Sequence, residues 1–357
     1  MNYTIFGESH GPAIGVVLED VPSGITLDLE QIGRELARRA PGKSPLSTAR
    51  KEADQPEILS GVFEGKTTGT PLCAIIRNGD QHSGDYAAIR YLARPGHADY
   101  TGQVRYQGYQ DYRGGGHFSG RLTAPLVFAG AVAKQILARH GICVGAHISQ
   151  IEGTKDRRFL EEGLELTPEL FDTLAAKEFP TMDDDRGRQM QQAILTARQQ
   201  QDSVGGAIEC AILGLDPGVG APDLGRNVEG ILAKHMFAVP AVKGIAFGAG
   251  FDCAAMRGSR YNDTPYMDGG TVKTRTNFNG GVNGGITNGM PVVFEVAVRP
   301  TPSISQPQET VDMSKGENTV IAIKGRHDPC VVHRAVPVIE ASAALAVCEL
   351  LEGRSTL

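Results

Sequence analysis

Residues 94–121 read RPGHADYTGQVRYQGYQDYRGGGHFSGR, with four arginines, two histidines and the glycine run Gly114–Gly116. Consecutive glycines lose much conformational entropy on folding, so they indicate that the backbone approaches another group closely. At a turn that leads into a helix, that group is commonly an anion. A helix is predicted next, with Pro125 in its first turn and Gly141 at its end. The stretch therefore predicts a phosphate-bearing ligand, and a solvated surface loop is the alternative.

The overall charge favours a small anionic ligand over a nucleic acid. The 357 residues carry a formal net charge of -6, with 41% hydrophobic and 21% charged residues, which is an ordinary globular composition. Binding to nucleic-acid phosphates needs a net basic surface, which an acidic chain does not provide. The arginines of 94–121 are therefore a local concentration, and they predict a pocket for a small anion.

Cysteine spacing, histidine spacing and apolar runs argue against several other classes. The six cysteines include no CxxC pair and no HxxxH or HExxH occurs, so we predict no metal site. Scattered cysteines among apolar neighbours are typical of reduced thiols in the cytoplasm. No signal-peptide pattern opens the chain and no apolar run approaches ~18 residues, so we expect a cytoplasmic protein without a membrane span.

Apolar periodicity and capping signals predict a mixture of helices and strands. Two short strands flank the tight turn Gly7-Glu8-Ser9-His10-Gly11, which presents a serine and a histidine. Asp28 is a good N-cap for a helix that ends at Arg38-Arg39. The other predicted elements are strands at 74–76, 143–151, 207–213, 244–251, 292–298 and 320–323, helices at 168–179, 186–200, from 231 and at 337–351, and a loop at 43–54.

The order of these elements predicts the fold class. Helices and strands alternate without a regular βα repeat, so we predict an α+β fold in a single domain that spans 1–357. No GxGxxG follows a strand and no GxxxxGK[ST] occurs, which argues against the two commonest nucleotide-binding loops.

The residues by themselves predict acid–base chemistry beside an anion. His10 and His97 lie on glycine-containing turns, and an imidazole donates or accepts protons near neutral pH. Arginines from several segments can stabilise the charge that develops on a phosphate leaving group. A serine nucleophile is less well supported, because Ser9 adjoins His10 in sequence and no GxSxG occurs. This reasoning reaches a phosphate-handling enzyme and names neither its substrate nor a flavin.

Nine motifs, read in chain order, carry a family resemblance: FGESHG, RRAPG, EILSGVFEGKTTGTP, RPGHADYT, DYRGGG, DSVGG, AVKG, GGVNGG and GRHDPC. Together they resemble the chorismate synthase family from Phe6 to about Leu351. The resemblance implies a lyase that converts 5-enolpyruvylshikimate 3-phosphate to chorismate by 1,4-anti elimination of phosphate, the last common step of the shikimate pathway to aromatic amino acids. It also implies reduced FMN without net redox change, a β-α-β sandwich core with peripheral helices, and usually a homotetramer.

The resemblance also implies roles for the matching residues. His10 would protonate the leaving phosphate, and His97 would keep the flavin suitably protonated. Ser9 and Asp328 would form a relay near the flavin atom N5. The phosphate of the substrate, or of NADP, is assigned to Arg39, Arg50 and Arg121. The flavin contacts are assigned to His117, Phe118, Ser119, Pro240, Ala241, Gly284, Arg299, Pro300, Thr301, Pro302, Ser303 and Arg326.

Some positions depart from the family pattern. The family commonly has Arg-Ser-Ser in place of His117-Phe118-Ser119, an arginine in place of Pro45 and an asparagine in place of Pro240. Pro45 weakens a nicotinamide site, so the leading hypothesis is a synthase that receives reduced FMN from a separate flavin reductase. The alternatives are a bifunctional form that reduces FMN with NADPH, and a non-catalytic flavin-binding protein. Glu8 and Asp99 are predicted to orient neighbouring groups.

Overall fold

The computed structural model describes residues 1–42, 46, 54–79, 86, 89–323 and 328–352. Its helices are α1 Leu29–Arg39, α2 Asp99–Arg105, α3 Thr123–Ala138, α4 Pro168–Ala176, α5 Asp184–Gln199, α6 Val228–Phe237, α7 Gly258–Tyr261 and α8 Val332–Leu351. Short 3-10 segments cover Arg113–Phe118, Gly120–Leu122 and Gly250–Ala255. Its strands are β1 Tyr3–Gly7, β2 Ala13–Leu18, β3 Pro56–Ser60, β4 Val62–Phe63, β5 Lys66–Thr67, β6 Leu72–Arg77, β7 Cys143–Ile151, β8 Thr154–Lys155, β9 Gly206–Leu213, β10 Val242–Phe247, β11 Pro265–Asp268, β12 Thr271–Thr274, β13 Val282–Asn283, β14 Ile286–Thr287, β15 Val292–Val298, β16 Gln308–Asp312 and β17 Glu317–Ile321.

Two antiparallel sheets form the outer layers of the core. One has four strands in the order β1-β2-β6-β3, and the other has five in the order β10-β15-β9-β7-β8. In the first sheet, Ile14 of β2 lies opposite Ile76 of β6, and both side chains are buried. In the second, Phe294 of β15 lies opposite Cys210 of β9, again with both side chains buried. Each sheet thus contributes an apolar face to the core.

A layer of helices separates the two sheets. Helix α3 packs on β2 and β6, helix α8 packs on β7 and β9, and the two helices pack on each other. Their backbones approach closely at Gly130 of α3. A Cβ at this position would lie 2.2 Å from the Cβ of Ala341 in α8. Both helices are apolar around most of their circumference, as expected for buried helices. This sheet–helix–sheet order confirms the predicted β-α-β sandwich core and the α+β class.

Most of the predicted elements are confirmed, and the structure shows which caps and buried faces stabilise them. Asp28 caps α1 by accepting a hydrogen bond from the backbone N–H of Gln31 at 2.9 Å, and the buried face of α1 carries Ile32 and Leu36. Strands β7 and β15 have the predicted bounds. Met190 and Ile194 of α5 are fully buried, as their spacing predicts.

Several boundaries were predicted wrongly. The last helix begins at Val332, so Pro337 lies inside α8 and not in its first turn. Proline removes one backbone N–H from the helix, but α8 is buried against α3 over its length, and this packing outweighs the local preference. The predicted strand at 244–251 ends at Phe247, because Gly248 and Gly250 turn the chain with positive φ.

Other elements carry too little sequence signal to be predicted. Helix α2, the hairpin β11–β12 and strand β16 were missed, since they are short and largely exposed. The strand predicted at 320–323 overlaps β17, which begins and ends earlier, at Glu317–Ile321. Most of the loop predicted at 43–54 lies outside the described residues. Within the described part of the chain, no helix combines the length and apolar character that a membrane span requires.

Candidate active site

The three glycines Gly114–Gly116 form the centre of the site. All have positive φ, at 58°, 87° and 54°, which non-glycine residues rarely adopt. A Cβ at position 114 would lie 2.4 Å from the ring of His10, and one at position 115 would lie 3.0 Å from Nε2 of His97. The glycines are therefore required because two histidine rings lie against this turn. The sequence predicted the close approach but attributed it to an anion alone.

The turn after β1 packs beneath the glycines. Ser9 is fully buried, and its Oγ lies 3.2 Å and 3.1 Å from the carbonyl oxygens of Arg113 and Gly114. Its backbone N–H also donates to the carbonyl of Gly116 at 3.2 Å. The neighbouring ring of His10 is buried and meets Tyr86 edge-on, with 5.2 Å between ring centroids. The Ser-His pair is thus fixed by the backbone of the glycine turn.

His97 approaches the same turn from the other side. Its Nδ1 lies 2.8 Å from Oδ1 of Asp99 and 3.1 Å from Nη2 of Arg94. Burial acts to raise the pKa of Asp99, but hydrogen bonds from Arg94 and His97 outweigh it and hold that pKa well below its usual range. Asp99 is therefore an ionised partner of His97.

Arg39 and Arg121 share one buried carboxylate, that of Asp54. Nη1 of Arg39 donates to Oδ2 of Asp54 at 2.5 Å, and Nη1 of Arg121 donates to Oδ1. Burial and the nearby arginine charges lower the pKa of Arg39 to about 10, although Asp54 opposes the shift. Burial acts to raise the pKa of Asp54, but the two guanidinium charges outweigh it and lower that pKa. At neutral pH the cluster is two cations around one anion.

These groups surround a cavity of about 290 Å³. Its walls come from the end of α1, the glycine turn, the segments around 240 and 300, and the start of α8. Five arginines line it, namely Arg39, Arg94, Arg121, Arg299 and Arg334, alongside apolar residues that include Phe118, Val239, Ala241, Pro302 and Val338. A cavity that combines an apolar wall with several guanidinium groups suits an anionic ligand with a flat apolar part.

Two of the cavity arginines, Arg334 and Arg299, have different hydrogen-bond partners. Nη1 of Arg334 donates to Oδ2 of Asp328 at 2.5 Å, and its Nε donates to the carbonyl of Arg39 at 3.0 Å. Arg299 donates to the carbonyl of Pro300 at 3.1 Å, and within the described parts of the chain no carboxylate forms an ion pair with it. Its positive charge is therefore available to a ligand.

The structure brings together most of the residues predicted from the sequence. The predicted residues that line the cavity are Arg39, His97, Phe118, Ser119, Arg121, Pro240, Ala241, Arg299, Thr301, Pro302, Ser303 and Asp328. His10 and Ser9 contact the lining residue Gly114. Three others lie outside the cavity wall. His117 is exposed with Nδ1 2.9 Å from the carbonyl of Gly7, Pro300 lies between two lining residues, and Gly284 occupies the exposed β13–β14 turn. Arg50 and Arg326 lie outside the described residues.

Sequence reasoning missed several residues of the site. Asp54 was assigned to a polar loop, and only its contact with two arginines shows its place. Arg334 had no signal, because the helix that carries it was predicted to begin three residues later. Asn78, whose Oδ1 accepts from Nε of Arg121 at 3.1 Å, was also missed. An acidic residue before strand β3 and a polar residue after strand β6 were the available clues.

Comparison with known proteins identifies the family. The family model described as chorismate synthase matches residues 1–351. The chain belongs to the chorismate synthase family. A chorismate synthase from Aeropyrum pernix is 45% identical over 354 residues, which cover 99% of this chain and 92% of that protein. One from Thermococcus kodakarensis is 44% identical over 352 residues, covering 98% and 96%. A crystal structure of a chorismate synthase superposes with a TM-score of 0.77 at 28% identity, covering 98% and 91% of the two chains.

Membership of this family confirms the predicted class of activity. The chain is an enzyme, a carbon–oxygen lyase, and its place is in the shikimate pathway to aromatic amino acids. The sandwich core, which was expected from the motifs, agrees with the fold of the superposed crystal structure. The roles of the individual residues remain predictions.

Proposed function

We propose that the cavity is where this chain eliminates phosphate from 5-enolpyruvylshikimate 3-phosphate, with reduced FMN bound beside the substrate. The observation that carries the proposal is the convergence of His10 and His97 on Gly114 and Gly115, at a cavity with five lining arginines. Elimination of phosphate needs a proton for the leaving group and positive charge around it. Imidazole and guanidinium groups supply these two requirements.

His10 is the proposed acid for the leaving phosphate. Its ring lies against Gly114, a residue of the cavity wall, and the backbone contacts of Ser9 fix the turn that carries both residues. Because position 114 has no side chain, the imidazole can approach a ligand across the turn. Ser9 is fully buried, so we propose that it acts by holding this turn and the proton path beside it.

The arginines hold the phosphate in this proposal. Arg299 is the cavity arginine whose charge no described carboxylate balances, so we assign it a direct contact with a ligand oxygen. Arg39 and Arg121 are held in place by Asp54, and they supply a fixed positive potential to the cavity. Fixed cations stabilise the developing charge of the leaving group without reorganising during the reaction.

The lining residues fit a flavin. Phe118, Val239, Ala241 and Pro302 offer apolar surface to a flat ring system, and the cavity arginines offer donors to its phosphate and ring oxygens. When bound, reduced FMN would supply electron density to the substrate and accept its proton, which the family chemistry requires. His97 and Asp328 line the same cavity and are the proposed proton-handling groups beside it.

The test is an anaerobic assay of purified protein with 5-enolpyruvylshikimate 3-phosphate, following chorismate and phosphate in two arms. One arm contains FMN that has been chemically reduced beforehand, and the other contains oxidised FMN with NADPH. We expect product only in the first arm, which would establish a synthase that depends on a separate flavin reductase. Product in both arms would show that the chain reduces its own flavin. No product in either arm, from folded protein that binds FMN, would contradict the proposal.

A further inference from the structure

The hydrogen bonds of Asp99 fix its carboxylate in one position. Oδ2 accepts from the backbone N–H of Arg94 at 2.9 Å and from its Nε at 2.7 Å, and Oδ1 accepts from Nη2 at 2.7 Å. Both oxygens are thus bonded to one arginine, whose side chain is buried. A bidentate pair of this kind is geometrically specific as well as strong. The carboxylate is therefore a rigid reference point for any third group that contacts it.

His97 is that third group, and its Nδ1 contacts both the carboxylate and the guanidinium. Nδ1 lies 2.8 Å from Oδ1 of Asp99 and 3.1 Å from Nη2 of Arg94. If Nδ1 carried no hydrogen, two lone pairs would face each other across the shorter contact, which is repulsive. If Nδ1 carries the hydrogen, it and Arg94 both donate to the same oxygen. A guanidinium can only donate, so the 3.1 Å contact with Nη2 of Arg94 by itself fits an unprotonated Nδ1. The contact with the carboxylate is shorter, at 2.8 Å, and we give it the greater weight, which places the hydrogen on Nδ1.

The other ring nitrogen lies against the glycine turn beside the reaction cavity. His97 lines this cavity, and its Nε2 would lie 3.0 Å from a Cβ at position 115, where the backbone has φ of 87°. With its hydrogen on Nδ1, a neutral ring presents an unprotonated Nε2 on that side. This nitrogen can accept a proton or a hydrogen bond from a ligand.

We propose that Asp99 is a positioning residue that fixes the tautomer of His97, with the hydrogen on Nδ1 and the acceptor Nε2 toward the cavity. The importance of this tautomer for catalysis rests on the proposed function. The position of the hydrogen on the His97 ring does not depend on it. The alternative is that Asp99 only anchors Arg94. In that case its loss acts through Arg94 and the local fold, whichever residue occupies position 97.

The chain contains a matched pair for comparison. Asp111 accepts from the backbone N–H, Nε and Nη2 of Arg113 at 3.0, 2.8 and 2.8 Å, which is the pattern of Asp99 with Arg94. Within the described residues, no histidine nitrogen forms a hydrogen bond or ion pair with Asp111. The variant Asp111→Asn therefore removes an aspartate–arginine clamp near the glycine turn without removing a hydrogen-bond partner of histidine, since the charge of Asp111 acts on His10 only through space.

The first measurement is of turnover in Asp99→Asn, Asp111→Asn, His97→Ala and the double variant Asp99→Asn with His97→Ala. We expect Asp99→Asn to lower kcat by about 10²-fold or more with KM changed by less than about threefold, since a mispositioned acid–base group loses most of its contribution. Asp111→Asn should lower kcat by less than about threefold. In the His97→Ala background, Asp99→Asn should cost less than about twofold, because residues that act through one another are not additive. A full loss in that background, or an equal loss in Asp111→Asn, would overturn the proposal.

The second measurement reads the tautomer directly and does not depend on activity. Protein with ¹⁵N-labelled histidine would be observed by NMR at a pH where the ring is neutral, and the His97 signals identified by their absence in His97→Ala. We expect the hydrogen on Nδ1 in the unaltered chain. A hydrogen on Nε2 would overturn the proposal even if Asp99→Asn does not fold. If the unaltered chain forms no chorismate, the proposed function fails while the tautomer is still decided by this spectrum.

Discussion

His97 and His147 are both held by carboxylates, but they meet different surroundings. His97 contacts Asp99 through Nδ1 at 2.8 Å, and its Nε2 lies beside Gly115 at the cavity. His147, in strand β7, is fully buried, with Nδ1 3.1 Å from Asp156 and Nε2 3.1 Å from Glu209 of β9. Among the described residues no hydrogen bond forms at Nε2 of His97, whereas both nitrogens of His147 are bonded within the protein.

The difference separates the proposed catalytic histidine from a structural one. The hydrogen bonds of His147 join β7, β9 and the segment at Asp156, and Glu209 is further bonded to Nε of Arg158 at 2.8 Å. A ring with two carboxylate partners is held as a cation and has no route to a ligand. The presence of a carboxylate therefore does not decide the role. We propose that the decisive feature is whether one ring nitrogen is left without a partner in the protein.

The largest effect expected from this comparison is on turnover in His97→Ala. Removing the ring should lower kcat by about 10²–10⁴-fold, because general acid–base groups contribute rate factors of this size. The free energy of unfolding should change little, since the Asp99–Arg94 pair remains in place. The assay is chorismate formation with pre-reduced FMN, alongside urea unfolding of the same preparation. Full activity in a folded His97→Ala protein would refute the role of this residue.

His147→Gln should reverse this pattern, with lower stability and unchanged turnover. Removing the cation leaves the carboxylates of Asp156 and Glu209 buried with fewer compensating partners, and breaking such a network costs about 3–5 kcal/mol. Urea unfolding would measure the loss, and kcat per folded molecule would be measured below the unfolding transition. Because His147 lies in the five-stranded sheet and not in the cavity wall, we expect kcat within about twofold of the unaltered chain. A large fall in kcat with an unchanged unfolding midpoint would break the comparison.

Much of the fold could be predicted from the sequence where local signals and burial agree. The bounds of β7 and β15 follow from stretches that are apolar at most positions, and the start of α1 follows from Asp28. Prediction failed at Pro337, because only the packing of α8 on α3 explains a proline inside a helix. It also failed for β16 and for its pairing with β17, because both strands are short and have half-exposed side chains.

The site was predictable in its residues more than in its geometry. The glycine run, the two histidines and Arg299 were identified from motifs, and the structure places them at one cavity or against its wall. The partners Asp54 and Arg334 were missed, because a buried carboxylate shared by two arginines is a property of tertiary structure. Likewise, no sequence pattern indicates that the ring nitrogens of His147 are both occupied.

The smallest expected effect is a pH dependence of the stability that His147 contributes. Burial acts to lower the pKa of His147, but hydrogen bonds and charges from Asp156 and Glu209 outweigh it and raise that pKa. A group whose pKa is raised by folding stabilises the folded state fully below its unfolded pKa of about 6.5. This contribution is lost as the pH rises through the folded value, by at most about 1.4 kcal/mol per pH unit.

The carboxylates of Asp156 and Glu209 set the lower limit of the pH range in which His147 stabilises the fold. Hydrogen bonds from His147 help to outweigh burial and lower the pKa values of Asp156 and Glu209, so their contribution is present above their unfolded values near about 4 and is lost in acid. The free energies of unfolding of the unaltered chain and His147→Gln should therefore differ most between about pH 5 and 6.5. Urea unfolding from pH 5 to 9 would show the difference shrinking above neutrality. A difference that grows with pH would mean that His147 is held neutral, and the contrast with His97 would then rest on burial alone.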